Sequence, residues 1–236
     1  MNRYVMKFHK DGYVKYTSHL DLVRIFKRSF KKTGLALQYS QGFNPHPKMG
    51  FAQPLSLGYS SKCELIEFET VEAHDPEDIL QRMKAALPEG LDAVSCVRFD
   101  NNIKSLAGEA DSAEYVVWAP LPEADGEGWN NEMLSGKISA YLAQTEITAM
   151  KRQKKTKKLA PVDIRKMIRD MNGMVITDVE GRKAMMLNLH LDCGSISNLS
   201  PELVISTFLP FCGLDIPRYD VEVERKTLKF VKNLHF

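Results

Sequence analysis

Two short stretches in the first sixty residues concentrate side chains that can act on an anion. Ser18, His19, Asp21 and Arg24 lie in one run, SHLDLVR, and Gln41, Asn44, His46 and Lys48 lie in SQGFNPHPKMGFAQPLSLG, residues 40–58. The second stretch is punctuated by Pro45, Pro47 and Pro54 and by Gly42, Gly50 and Gly58. Proline fixes φ and glycine supplies conformations closed to other residues, so the stretch reads as a restricted loop that holds its polar groups in place. Phe43 and Phe51 are the apolar anchors expected to pin it down. Imidazole, amide, ammonium and guanidinium donors together suit a phosphate or nucleotide pocket. Because imidazole titrates near neutral pH, His19 and His46 are also the candidates for acid–base work on an RNA phosphodiester. Against this stands a plainer reading, in which Ser18 caps a helix, Asp21 completes the cap and the loop is only a braced surface.

A second concentration is purely basic. Residues 150–169, MKRQKKTKKLAPVDIRKMIR, hold nine Lys or Arg and the single acid Asp163. Lys151, Arg152, Lys154, Lys155, Lys157, Lys158 and Arg165 are the residues expected to follow a phosphate backbone, each contact displacing a counterion and making binding salt-dependent. The run contains no aromatic residue, which favours backbone contact over base stacking. Asp163 is read as orienting Arg165 or pairing with a lysine. Lys27, Arg28 and Lys31 add cations to the same expectation from the first helix.

The elements that must position these groups follow from periodicity. Residues 3–9 alternate as a strand, residues 10–12 turn, and 13–16 read as a short extended piece. Ser18, with Asp21 three residues on, starts a helix whose apolar face is Leu22, Ile25, Phe26, Ser29 and Phe30 and whose stop is Gly34. Leu35, Leu37 and Tyr39 alternate as a second strand running into the proline-rich loop. A strand over 63–69, a helix begun by Asp75 and Pro76, and a strand over 91–99 complete a β-α-β-β-α-β order, the ferredoxin-like unit. A polar linker over 101–112 follows. The order then recurs, with a strand at 113–119, a helix at 133–143, a strand at 146–150, a hairpin about Gly181, a helix begun by Ser200 and Pro201, and an extended end. The expected fold is α+β, two ferredoxin-like domains in tandem over 1–100 and 113–236, the second decorated with a basic insertion at 150–172. Strands joined by a β-α-β crossover are parallel, so the first helix should start where the second strand finishes, placing Ser18, His19 and Asp21 beside Asn44, His46 and Lys48.

Composition narrows the classes further. The net charge of +2 hides segregation: residues 1–50 hold ten Lys or Arg against two acids, residues 61–132 five against seventeen, and residues 133–236 seventeen against eleven. That pattern suggests one basic face for a polyanion and an acidic part facing elsewhere. No run approaches the ~18 apolar residues of a membrane span and the N-terminus has no signal-peptide core, so a cytoplasmic protein without membrane attachment is expected. Cys63, Cys96, Cys193 and Cys212 are scattered singly and read as buried thiols. GxGxxG, Walker and GxSxG motifs are absent, the histidines lack metal-ligand spacing, and no cofactor or metal is expected. His9 and His190 read as structural.

Read together, SHLDLVR, the GFNPHP loop with PLSLG after it, and KKTKKLAPVDIRKMI resemble the radical-SAM-linked protein family, a group of unknown function. The resemblance spans most of the chain. It implies a radical S-adenosylmethionine protein as partner and an RNA-related neighbourhood. The CxxxCxxC expected of that partner is absent here, so the cluster would be the partner's. The function this implies is an RNA-binding or substrate-presenting accessory subunit in RNA modification, with no DNA specificity indicated. The alternatives are a ribonuclease using His19 and His46, and a protein-interaction scaffold docking through its acidic middle at Glu64, Glu67 and Glu69.

Overall fold

The computed structural model describes residues 2–99, 103–122, 128–153, 157–232 and 234. The protein is a mixed α/β chain whose core is mostly sheet. It divides into two compact units: the described residues of Met1–Asp111 with those of Thr227–Phe236, and Ser112–Lys226. Among the described residues no helix is long and apolar enough to cross a membrane.

The first unit contains β1 (Arg3–Lys10), α1 (His19–Thr33), β2 (Met49–Phe51), β3 (Ser60–Glu69), α2 (Pro76–Ala86), β4 (Leu91–Arg98) and a single turn of helix, α3 (Leu106–Glu109). β1 pairs antiparallel with both β3 and β4, and β2 pairs antiparallel with β3. Both helices bury their apolar stripes on one sheet face. Tyr4, Met6 and Phe8 of β1 meet Phe26 and Phe30 of α1 and Ile79 and Met83 of α2, with ring pairs Phe8–Phe26 and Phe30–Phe68 at 4.9 and 4.7 Å. α1 forms because Ser18 caps its start, Lys31 and Lys32 suit the negative end of its dipole, and Gly34 takes the left-handed conformation that ends it.

Two expected elements differ. Residues 12–16 form a 3-10 turn, Gly12–Tyr16, rather than an extended piece. Residues 35–40 form no strand. Leu37 and Tyr39 make only isolated bridges, to Thr70 and Pro47, and the strand that pairs with β3 is the three-residue β2, which follows the GFNPHP loop instead of leading into it.

In the second unit β5 (Ala110–Pro120), α4 (Asn131–Leu142), β6 (Thr148–Arg152), β7 (Leu159–Asp163), β8 (Ile168–Thr177), β9 (Lys183–Asp192), α5 (Pro201–Cys212) and β10 (Glu222–Phe230) follow in order. β5 and β10 straddle the unit boundaries, at Asp111/Ser112 and Lys226/Thr227. β5 and β8 each pair antiparallel with β9, while β6 and β7 pair only with each other as a separate two-stranded sheet. Tyr115, Leu187, Leu189 and Leu191 supply the buried sheet face, and Leu134, Ile138, Tyr141, Val204 and Phe208 the helical side of the core. The Tyr141 ring lies 5.0 Å from Phe208, and its hydroxyl is bonded to Thr207 at 2.7 Å. Gly173 allows a close approach here: a Cβ would meet the Met186 carbonyl at 2.8 Å and Ile138 at 3.4 Å.

Candidate nucleic-acid interface

The start of α1 is a closed network. The Ser18 hydroxyl accepts from the Asp21 backbone N–H at 3.2 Å and donates to the Asp21 carboxylate at 2.7 Å, while Arg24 donates to the other carboxylate oxygen at 2.7 Å. The Ser18 hydroxyl first, and the Arg24 guanidinium second, hold the Asp21 carboxyl below its ordinary value. Three of the expected pocket residues thus satisfy one another as a helix cap. Beneath them Lys10 is buried at the end of β1, and its ammonium donates to the carbonyls of Lys15 and Thr17 at 3.3 and 3.4 Å. That contact ties the residue before the cap to the sheet. His19 is exposed, with its ring edge-on to Phe51 at 5.5 Å.

The loop is held differently. The Ser40 N–H donates to the His46 carbonyl at 2.8 Å, the His46 N–H to the Ser40 hydroxyl at 3.0 Å, and the Lys48 N–H to the Gln38 carbonyl at 2.7 Å. Lys48 directs its ammonium to the Gln38 side chain at 3.2 Å and to Glu69 at 2.8 Å. Gln41, Asn44 and His46 are exposed. Of the two expected anchors only Phe51 is one, buried against Phe8 and Phe26. Phe43 is fully exposed at the loop tip, and the braces are the backbone bonds.

The His19 ring meets Phe51, but the polar groups of the two stretches are not bonded to one another among the described residues. Lys48 sits where β3 ends, at the Arg3–Glu69 pair, whereas Thr17 and Ser18 sit by Lys10, at the other end of β1. The seven steps of β1 between those ends span about 23 Å at ~3.3 Å per residue. The cause is the position of β2. Since the strand parallel to β1 follows the loop, the loop lies at the strand's start, and the segment at its end is Ala52–Gly58, whose Gly58 N–H donates to Lys15 at 2.8 Å. Only Phe51 carries the loop segment to α1.

Lys48 instead joins a zwitterionic recess of about 410 Å³, lined by Arg3, Glu67 and Glu69 among others. Arg3 is paired with Glu67 and donates to the Ile103 carbonyl at 2.8 Å. Glu67 and Glu69 are therefore committed to cations, and Glu64 is buried. These are not the open acidic docking face that the charge pattern suggested.

On the outer side of α1, Lys27 and Lys31 are exposed and bond to no carboxylate among the described residues, and Arg28 reaches only the Arg24 carbonyl at 3.4 Å. They border an open groove of about 560 Å³ whose other wall is Leu35, Ala36, Leu37 and Tyr39. Sequence reasoning missed Tyr39, because its place in the alternation pointed it inward. The signal available was the S-Q-G turn that starts one residue later and leaves Tyr39 at the end of its run.

In the second unit the basic run becomes the β6–β7 hairpin. Lys151, Arg152, Lys157 and Lys158 are exposed. Lys151 donates to the Asn198 carbonyl at 3.4 Å and Arg152 to the Lys157 carbonyl at 2.9 Å. Lys157 adopts a left-handed φ of 59°. Lys154 and Lys155 lie outside the described residues. Arg165 is an anchor: it is half-buried and donates to the carbonyls of Leu142 at 2.7 Å and Ile168 at 3.4 Å. Asp163 accepts from the backbone N–H groups of Arg165 at 2.9 Å and Ile147 at 3.0 Å, and these two bonds lower its carboxyl. It closes the base of the hairpin rather than orienting the Arg165 side chain.

Cys63, Cys193 and Cys212 are buried. Burial pushes the Cys212 thiol up to about 11, and burial together with Glu77 pushes Cys96 up to about 12, so these two sulfurs stay protonated and unreactive at neutral pH. His190 is bonded to the buried Ser112 hydroxyl at 2.9 Å. Among the described residues no group of three or more His, Cys, Asp or Glu side chains is placed to hold a metal ion.

Fold and surface define a mixed α/β protein that presents a basic hairpin from one unit and a basic helix face from the other. Residues 3–201 match the model of a bacterial family described as "Uncharacterized protein conserved in bacteria (DUF2344)", and the chain belongs to that family. No curated protein matches it. Among solved structures, it is similar to a chain in the crystal structure of a Cbf5-Nop10-Gar1 complex, with 13% identity, coverage of 95% of this chain and 48% of that one, and a TM-score of 0.47. It is also similar to an unknown protein from Galdieria sulphuraria, with 14% identity, coverage of 95% and 98%, and a TM-score of 0.27. The chain spans about half the length of the first of these.

Proposed function

We propose that this protein is a non-catalytic RNA-binding subunit that presents RNA to a radical S-adenosylmethionine enzyme acting in RNA modification. The observation that carries the RNA-binding part is the β6–β7 hairpin. Lys151, Arg152 and Lys157 are exposed on it, and none has a carboxylate partner among the described residues. Cations without a carboxylate partner are not neutralised internally and remain available to phosphates, whose counterions are released on binding. The partner and the modification rest on the resemblance of the SHLDLVR, GFNPHP and KKTKKLAPVDIRKMI motifs to the radical-SAM-linked family, and a cytoplasmic location follows from that role. We read each unit as a ferredoxin-like domain. In the first, the pairing order β4-β1-β3-β2 with a helix after β1 and after β3 supports this. In the second, the order β10-β5-β9-β8 does so, with the basic hairpin inserted before β8.

The ribonuclease alternative requires His19 and His46 to act on one substrate; the His19 ring packs on Phe51 at the end of β2 while His46 lies in the loop before β2, and no bond joins the two among the described residues. Retention of total cellular RNA on filters tests the proposal. The protein with Lys151, Arg152, Lys154, Lys155, Lys157 and Lys158 all changed to Gln should retain far less RNA than the wild type, and equal retention would contradict it.

A further inference from the structure

We infer that the groove between α1 and residues 35–39 binds an unpaired stretch of nucleic acid, with one base stacked on Tyr39 and the flanking phosphates on Lys27, Arg28 and Lys31. This rests on the proposal that the protein binds RNA, and it adds the form of RNA and the place where a base is held.

The two walls of the groove differ in kind. Lys27, Arg28 and Lys31 stand on the exposed face of α1 at the i, i+1 and i+4 positions of one helix and form no ion pair among the described residues. The opposite wall is apolar, made by Leu35, Leu37 and Tyr39. Tyr39 is 57% exposed, and no ring or side-chain bond holds its phenol among the described residues. Its backbone, by contrast, is fixed. It bridges to Pro47, and the bonds Gln38 N–H to Glu69, Lys48 N–H to Gln38 and Ser40 N–H to His46, at 2.7 to 2.8 Å, hold the segment on both sides. An aromatic ring on a braced backbone, facing a row of unpaired cations across a groove of about 560 Å³, is the combination that single strands use: bases stack on the ring while the cations follow the backbone. A duplex cannot offer a base face to Tyr39, since its bases are stacked on one another. An acidic peptide would use the cations but gain little from an exposed tyrosine face.

The test measures binding of a fluorescent oligouridylate, and of its duplex with oligoadenylate, by anisotropy across a salt series. Tyr39→Ala should weaken oligouridylate binding by about 5- to 150-fold and leave its salt slope unchanged. Tyr39→Phe should restore the affinity, because it keeps the ring. Lys27→Gln with Lys31→Gln should flatten the salt slope by about 1.4, at ~0.7 per phosphate contact on a single strand. Duplex binding should not respond to Tyr39→Ala. If Tyr39→Ala binds oligouridylate as the wild type does, or loses the duplex equally, the inference is overturned. That result, combined with total RNA binding that still depends on the hairpin lysines, would overturn the groove alone. Failure of the wild type to bind any RNA at low salt would overturn both readings. Thermal melts of each variant matching the wild type exclude unfolding as the cause of any loss.

Discussion

At the scale of single residues, several of the side chains that looked most chemical are bonded to one another. Ser18, Asp21 and Arg24 close on one another, so removing the hydroxyl should loosen the start of α1 without touching a ligand. Ser18→Ala is expected to cost about 1 kcal/mol of stability in denaturant titrations; RNA affinity should not change. Asp21 and Asp163 share a sign. Both carboxyls are held below the ordinary aspartate value in the folded protein, so each contributes stability that is present above the unfolded value. That contribution is lost as pH falls through the lowered folded value. The unfolding midpoint of the wild type should therefore drop more steeply below about pH 4 than that of Asp21→Asn, and parallel curves would refute the assignment. Asp163 offers a separate check, because its partners are backbone N–H groups and not cations. Asn keeps an oxygen acceptor where Ala does not, so Asp163→Ala should destabilise the second unit more than Asp163→Asn, read by proteolysis at the hairpin.

At the scale of elements, the caps were legible and the short strand was not. Ser18 with Gly34, Asp75 with Pro76, and Ser200 with Pro201 mark helix ends in the structure where the sequence marks them, because capping is a local chemistry of a few adjacent residues. β2 is three residues long with Gly50 at its centre, inside a stretch rich in proline, and nothing local announces it. It exists because Met49, Gly50 and Phe51 fall opposite Phe68, Glu67 and Ile66, a long-range pairing. The alternation of Leu35, Leu37 and Tyr39 was a strand pattern without a full strand partner, since only Thr70 and Pro47 are available for bridging. That single misplacement moved the whole GFNPHP loop to the wrong end of the sheet. The exposure of Phe43 has the same origin, because the loop is braced by its backbone and needs no ring to hold it.

Two glycines separate conformation from space in the same way. Gly34 and Gly90 both have positive φ, 73° and 86°. A Cβ on Gly34 would meet nothing, whereas one on Gly90 would lie 2.6 Å from the Asp11 carbonyl and 3.1 Å from Val14. Gly34→Ala should cost about 1–2 kcal/mol, the left-handed penalty alone. Gly90→Ala should cost clearly more, because the turn before α1 must move as well. Equal losses in denaturant titrations would show that the contact at Gly90 is not tight.

At the scale of the whole molecule, the charge segregation read from the sequence keeps part of its meaning. The acids of β3 are absorbed by Arg3 and Lys48 or buried, so the acidic middle is less available than its composition suggests. The basic segments keep their exposure, on α1 in one unit and on the β6–β7 hairpin in the other. Of the expected cations, Arg24 and Lys48 are ion-paired with Asp21 and Glu69, and Arg165 is held by backbone carbonyls. On the proposed reading these exposed basic surfaces act by charge, and the signature to look for is salt dependence.

The most direct measurement is the affinity for cellular RNA by fluorescence anisotropy across a salt series, comparing the wild type with the variant in which Lys151, Arg152, Lys154, Lys155, Lys157 and Lys158 are Gln. Binding that weakens linearly in log salt, with a slope reduced in the variant by up to about 4 at ~0.7 per lost contact, is the predicted result. An unchanged slope, or no binding by the wild type at low salt, would contradict it.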